Sequence, residues 1–95
     1  MATAAVFSVI VPFLNEEAVL SETYRRLTGV MEKLGEPYEL LFVNDGSTDR
    51  SPEMVAGLCA ADPRVRLLSL SRNFGQQAAT LAGLEYAEGQ ALVVI

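Results

Sequence analysis

The sequence predicts an α/β fold, an open and mainly parallel sheet with helices packed on it. Three observations predict it. Four short apolar, β-branched runs recur along the 95 residues. Three helical patterns separate them, each long enough to carry the chain back across a sheet. Clusters of Gly, Pro, Asn, Asp and Ser punctuate the changes of pattern, as turns require.

Each element has a local reason. Val6 to Val11 is apolar and β-branched, and Pro12 is expected to stop it, so it reads as a buried strand. Leu20, Tyr24, Leu27, Met31 and Leu34 then recur at spacings of four and three, one face of a helix. Asn15 is the expected N-cap of that helix. Glu16 and Glu17 suit its positive end, and Gly35 is its stop. Tyr38 to Asn44 is the second strand, followed by the turn Asp45 to Asp49. Ser51, Pro52 and Glu53 read as N-cap, N1 and N2 of a helix to about Ala61, which Asp62-Pro63 breaks. Val65 to Leu70 is the third strand and Ser71 to Gly75 the next loop. A third helix runs from about Gln76 to Ala87, and its Ala78, Ala79, Ala82 and Gly83 let it sit close to a sheet. Glu88-Gly89 ends it, and Ala91 to Ile95 reads as a fourth strand, buried on both faces.

The order βαβαβαβ with right-handed crossovers is a Rossmann-like sheet. No repeat, low-complexity tract or linker interrupts it, so residues 1–95 read as a single domain. The chain stops inside the apolar run Ala91 to Ile95, and a fragment of a longer protein is expected.

Composition excludes several functions. The chain is 51% hydrophobic and 20% charged, which is globular rather than disordered. Its net charge of -5 argues against a general nucleic-acid binder and against docking on anionic lipid. There is no histidine, which removes Ser-His-Asp catalysis and histidine metal sites. The single cysteine, Cys59, excludes an internal disulfide and reads as a small core residue. Met1 to Ala5 has no charged leader, and no apolar run is long enough to span a bilayer, so a cytoplasmic location is expected.

Ligands of such sheets bind beyond the carboxyl ends of the strands. Three polar loops belong there: Pro12 to Glu17, Asn44 to Asp49, and Ser71 to Gly75. The first lacks the G-x-G-x-x-G of a dinucleotide site, and two carboxylates at that position repel phosphate. There is no Walker motif, because the only lysine, Lys33, sits inside a helix. A phosphoacceptor module needs an aspartate after the third strand, where Ser71 stands.

Three motifs carry a resemblance. Val11-Pro12-x-x-Asn15-Glu16, Val43-Asn44-Asp45-Gly46-Ser47-Thr48-Asp49 and Ser71-Arg72-Asn73-Phe74-Gly75 resemble those of family 2 inverting glycosyltransferases. The likeness spans about Phe7 to Ile95. It is greatest to the polyprenyl-phosphate branch, the dolichol-phosphate mannosyltransferases and bactoprenol glucosyltransferases. It implies the N-terminal, nucleotide-binding half of a GT-A fold. It implies transfer of a hexose from a UDP- or GDP-sugar to a polyprenyl phosphate at the cytoplasmic face of a membrane. It further implies a divalent metal, Mg2+ or Mn2+, held by an Asp-x-Asp motif that follows a strand like Ala91 to Ile95. No such motif occurs in these residues, so no catalytic or metal-binding residue is assigned here, and the isolated chain is expected to be inactive. Gln76 stands where the family often has lysine.

The resemblance selects six nucleotide-binding candidates: Pro12, Asn15, Glu16, Asp45, Asp49 and Arg72. A carboxylate accepts from the N–H donors of uracil or guanine, and the resemblance puts a base-reading aspartate at Asp45; the alternative is a turn residue bonding its own backbone. Glu16 reaches for the nucleotide or serves a helix start, and Asp49 fits a helix start better than a ligand. Pro12 walls the base or merely ends its strand. Arg72, the only cation of the three loops, suits a diphosphate because its planar fork bonds oxyanions in pairs. Two other readings stay open: a non-catalytic nucleotide-binding module and a nucleotidyltransferase-like enzyme. The latter needs a Gly-rich, basic loop after the first strand, which this chain lacks.

Overall fold

The computed structural model describes residues 4–95. The expectation for Met1 to Ala5 therefore falls in part on residues 1–3, outside the described residues. Seven elements alternate: β1 (Phe7–Phe13), α1 (Leu20–Leu34), β2 (Tyr38–Asn44), α2 (Ser51–Ala61), β3 (Val65–Ser69), α3 (Gln76–Tyr86) and β4 (Ala91–Val94). Every strand pair is parallel and the sheet order is β3-β2-β1-β4. This is the expected Rossmann-like α/β sheet.

The side-chain alternation of the strands builds two cores. Val9, Val11 and Phe13 of β1 pack with Leu40 and Phe42 of β2 beneath Leu20 and Met31 of α1 and Val55 of α2. Ile10, Leu41 and Val43 point the other way, onto Ala79 of α3. All seven residues of β2 are buried, as a central parallel strand with both faces covered requires. The small residues of α3 act as expected. A Cβ on Gly83 would stand 2.5 Å from Ile10 Cγ2, so only glycine allows this helix its approach.

Several element ends differ from expectation. β1 does not stop at Pro12 but pairs it with Val43 and continues to Phe13. Backbone parity explains why. The carbonyls of Val6 and Ile10 accept from Ala91, the first residue of β4, and from Ile95, just past its end, whereas that of Phe13 accepts from Asp45 beside β2. Even-numbered residues thus face β4, whose last pair with β1 is Val94 with Ile10. The missing N–H of Pro12 lies beyond that pair and breaks no ladder bond.

α1 begins at Leu20 with Val19 as cap residue, so Asn15 is not its N-cap. Leu34, expected on its buried face, is exposed. The backbone N–H of Ser51 is taken by Asp49 Oδ1 at 2.9 Å, and its own hydroxyl serves another loop, so Ser51 is not the N-cap of α2. β3 ends one residue early at Ser69, as α3 does at Tyr86. β4 forms, but all its residues are exposed rather than buried on two faces. Cys59 is a half-buried core neighbour, and burial pushes its thiol pKa up. No helix among the described residues is long and apolar enough to cross a membrane.

Candidate functional site

The site is built from the three loops at the carboxyl ends of β1, β2 and β3, where the sheet leaves its helices room to diverge. They form one cross-tied surface, and the ties are side chain to backbone.

Asn15 joins the first two loops. It adopts φ 51°, the left-handed region that asparagine tolerates better than most residues. There its Oδ1 accepts the N–H groups of Thr48 at 2.8 Å and Asp49 at 3.2 Å, while its own N–H donates to Ser47 Oγ at 3.0 Å. Glu16 N–H donates to Ser51 Oγ at 2.9 Å, and Glu17 N–H to Asp49 Oδ2 at 3.3 Å. Asp49 thus receives Ser51 and Glu17. Burial pushes its carboxyl up, but these hydrogen bonds outweigh that and hold it below the ordinary carboxylate range.

Asp45 joins the second loop to the third. Only 4% of it is exposed. Its Oδ1 accepts Phe74 N–H at 2.8 Å and its Oδ2 accepts Gly75 N–H at 3.1 Å. Its own N–H donates to the Phe13 carbonyl at 2.9 Å. Neither role weighed for it from sequence, base contact or turn residue, includes this span of 30 positions to Gly75.

A cleft of about 340 Å³ opens between the loops, lined among others by Pro12, Leu14, Glu16, Asp45, Gly75 and Gln76. Three of the six candidates therefore line one cavity: Pro12, Glu16 and Asp45. Asn15 and Asp49 lie in the seam between the first two loops. Arg72 stands outside the cleft lining, exposed, with its guanidinium 4.7 Å from the Phe74 ring centroid. Leu14 and Gln76 were not selected from sequence. Gln76 opens α3 directly after the third loop, and that position was the signal available. Among the described residues no group of three His, Cys, Asp or Glu side chains could hold a metal ion. Asp45 is already committed to two amides. The residues present thus do not fit the divalent metal that the resemblance implies.

The chain matches the family described as Glycosyl transferase family 2 over residues 8–95. It is 55% identical over 89 residues to the uncharacterized glycosyltransferase YkcC of Bacillus subtilis, covering 94% of this chain and 28% of that protein. It is 39% identical over 89 residues to an undecaprenyl-phosphate 4-deoxy-4-formamido-L-arabinose transferase of Salmonella paratyphi A, covering 93% of this chain and 27% of that one. Thus it spans little more than a quarter of these relatives' length. Among solved structures, S. aureus TarS 1-349 superposes with a TM-score of 0.78 at 26% identity, over 94% of this chain and 26% of that one. The mannosyltransferase PcManGT of Pyrobaculum calidifontis, in complex with GDP-Man and Mn2+, shares the fold with a TM-score of 0.68 at 23% identity, over 90% of this chain and 25% of that one. With three polar loops gathered at the carboxyl ends of a GT-A-like parallel sheet, the chain belongs to glycosyltransferase family 2.

Proposed function

We propose that residues 1–95 form a single nucleotide-sugar-binding unit of a glycosyltransferase that moves a hexose from a UDP- or GDP-sugar to a polyprenyl phosphate. The observation that carries this reading is the cleft itself. It lies beyond the carboxyl ends of parallel strands, where such sheets bind ligands, in a chain of this family. Pro12 gives the nucleotide base a flat apolar wall. Glu16 supplies an acceptor for base or ribose donors. Arg72 is free of protein partners for hydrogen bonds or ion pairs among the described residues, so its fork is available to the diphosphate. Asn15 and Asp49 keep the first two loops in register and reach the nucleotide only through that arrangement.

The named activity of the Salmonella relative supports a lipid-phosphate acceptor and hence a place at the cytoplasmic membrane face. In the inverting reaction the acceptor oxygen attacks the anomeric carbon as the diphosphate departs. The contribution of these residues is to hold the donor and to offset the charge of the leaving diphosphate.

Isothermal titration with UDP and GDP tests the reading. One of the two should bind with a Kd below about 1 mM, at least −4 kcal/mol. It should bind more tightly than its nucleoside, because Arg72 meets only the diphosphate. No binding of either nucleotide by the folded chain would overturn it.

A further inference from the structure

We infer that Ser51 is a positioning residue of the nucleotide cleft, holding the backbone of Glu16 so that the Glu16 carboxylate stays at the ligand. The inference rests on the nucleotide reading of the cleft and deepens it.

Three consecutive residues of the first loop give their N–H groups to the segment that leads into α2. Asn15 donates to Ser47 Oγ at 3.0 Å, Glu16 to Ser51 Oγ at 2.9 Å and Glu17 to Asp49 Oδ2 at 3.3 Å. Their side chains differ in use. Asn15 Oδ1 is spent on the N–H groups of Thr48 and Asp49, and Glu17 Oε1 accepts the Arg50 N–H at 3.2 Å. Of the three, only Glu16 lines the cleft, and its carboxylate makes no hydrogen bond or ion pair among the described residues. The Glu16 carbonyl accepts from Val19 at 3.0 Å and Leu20 at 3.1 Å. Its peptide groups are thus clamped between the starts of two helices, the carbonyl to α1 and the N–H to α2.

Ser51 is the rigid side of that clamp. It is fully buried, whereas Ser47 and Asp49 are half-buried. Its N–H is fixed by Asp49 Oδ1 at 2.9 Å, and Val55, one turn further along α2, is buried in the core. The packing of α2 on the sheet therefore sets where the Ser51 oxygen stands, and the exposed first loop adapts to it. A serine at a helix start ordinarily spends its oxygen on an N–H of its own first turn. α2 has no side-chain cap bond, and the Ser51 hydroxyl reaches across to Glu16 instead. Alanine at this position leaves the Glu16 N–H to water, and the loop is then free to carry the carboxylate away from the ligand.

The 95-residue chain and its Ser51→Ala, Ser51→Thr, Glu16→Gln and Arg72→Ala forms should be titrated with UDP, GDP and their nucleosides. Ser51→Ala should also be combined with Glu16→Gln and with Arg72→Ala. Glu16→Gln should weaken nucleoside and diphosphate about tenfold, and Ser51→Ala about fivefold. Ser51→Ala should add almost nothing to Glu16→Gln, because both act through one carboxylate, and should add in full to Arg72→Ala. Ser51→Thr keeps the acceptor and should bind within about twofold of the unsubstituted chain. Full additivity with Glu16→Gln, or a Ser51→Thr loss equal to that of Ser51→Ala, would make Ser51 a packing residue and overturn the inference. Two measurements keep it open to refutation if Ser51→Ala unfolds. In the unsubstituted chain the Glu16 amide should exchange slowly although the residue is exposed. Exchange there at the rate of a free amide, or unchanged nucleoside affinity in Glu16→Gln, would each overturn the inference. Binding by a folded Ser51→Ala as tight as by the unsubstituted chain would overturn this inference and leave the nucleotide reading standing. Failure of the unsubstituted chain to bind any nucleotide would overturn both.

Discussion

Ser8 and Glu39 are register partners across β1 and β2, and the Ser8 hydroxyl donates to Glu39 Oε2 at 2.5 Å. They stand at the end of the sheet opposite the cleft. Arg66 donates to the other carboxylate oxygen at 2.6 Å, and the Glu88 N–H to Oε2 at 2.7 Å. Gly89 N–H completes the group by donating to Ser8 Oγ at 2.7 Å. A buried carboxylate thereby fastens β1, β2, β3 and the turn into β4.

This group makes stability depend on acid. Burial pushes the Glu39 carboxyl up, but the bonds from Ser8, the Glu88 amide and Arg66 outweigh it and hold the pKa below the ordinary range. Asp62 is held low in the same way. Burial raises it, and the bonds from Arg64 and from the Tyr24 hydroxyl at 2.7 Å lower it further than that. A depressed folded pKa means that the unfolded chain binds more protons just below its own pKa, about 4. The stabilisation is complete above that value and is lost as pH falls through the lower folded values. Urea unfolding should show constant stability from neutral pH to about 5 and a decline below it. Glu39→Gln should cost about 1–3 kcal/mol at neutral pH and flatten the acid decline. An acid decline identical to that of the unsubstituted chain would show that Glu39 is not its source.

Gly46 decides whether the second and third loops can meet. A Cβ there would stand 2.5 Å from the Arg72 carbonyl carbon and closer still to the Asn73 nitrogen. Both are backbone atoms and cannot rotate away. The φ of 82° adds the cost of the left-handed region. Gly46→Ala should lower stability by about 2–4 kcal/mol, or separate the loops and weaken nucleoside diphosphate binding. Unchanged stability and unchanged binding would mean that the loops do not pack this closely in solution.

These two regions explain what the sequence could and could not disclose. β2 was legible to the residue because the apolar run Leu40 to Val43, extended by Tyr38 and bounded by turn signals, reads as a buried strand, although nothing local told that Glu39 within it is buried too. Gly35 was legible because a glycine after a helical stripe has a local role, and it stands at φ 74°. Asn15, Glu16 and Glu17 looked like a helix start because that is the local use of such residues. The Glu16 carbonyl does accept from Val19 and Leu20 at the entry to α1, but the three N–H groups and the Asn15 side chain are spent on partners 32 to 35 positions away. Ser51 misled in the same way, its hydroxyl taken by Glu16. A short polar side chain can satisfy its own turn or a distant loop, and only the tertiary approach chooses. Asp45 was found as a candidate by its motif, but its partners Phe74 and Gly75 carry no matching side-chain signal, since they bond through the backbone.

Tyr38 offers a test of the opposite sign. Its hydroxyl is buried and has no hydrogen-bond partner among the described residues. The ring packs in the α1-α2 core, and the Arg64 guanidinium lies 4.6 Å from its centroid. Tyr38→Phe keeps ring and stack and removes only the unpaired oxygen. It should leave stability unchanged or raise it by up to about 1 kcal/mol. Tyr24→Phe is the contrast, because that hydroxyl donates to the Asp62 carboxylate, and its loss should cost about 1.5–3 kcal/mol. A loss for Tyr38→Phe as large as that for Tyr24→Phe would reveal a partner for the Tyr38 hydroxyl.

β4 is bound to β1 along one edge, and Leu92, Val93, Val94 and Ile95 remain 40–56% exposed. None of the devices that blunt an edge is present in it: no lysine, no proline and no inward charge. Among the described residues no strand lies along its other edge, which offers unpaired backbone groups flanked by apolar side chains, the combination that recruits another strand. A second copy can pair there without setting like charges against each other, because β4 carries none. The 95-residue chain should associate with rising concentration in sedimentation, despite a net charge of -5 that opposes contact. Val93→Lys should shift it toward monomer. Val93 pairs with Val9, on the sheet face toward α1 and α2, and its exposed side chain leaves room for a lysine to reach water. The fold should survive, since β1 and β2 hold the core without help from β4. A monomer at every concentration with a sharp melt would show that the edge is already protected. Equal association of Val93→Lys would move the contact to another surface.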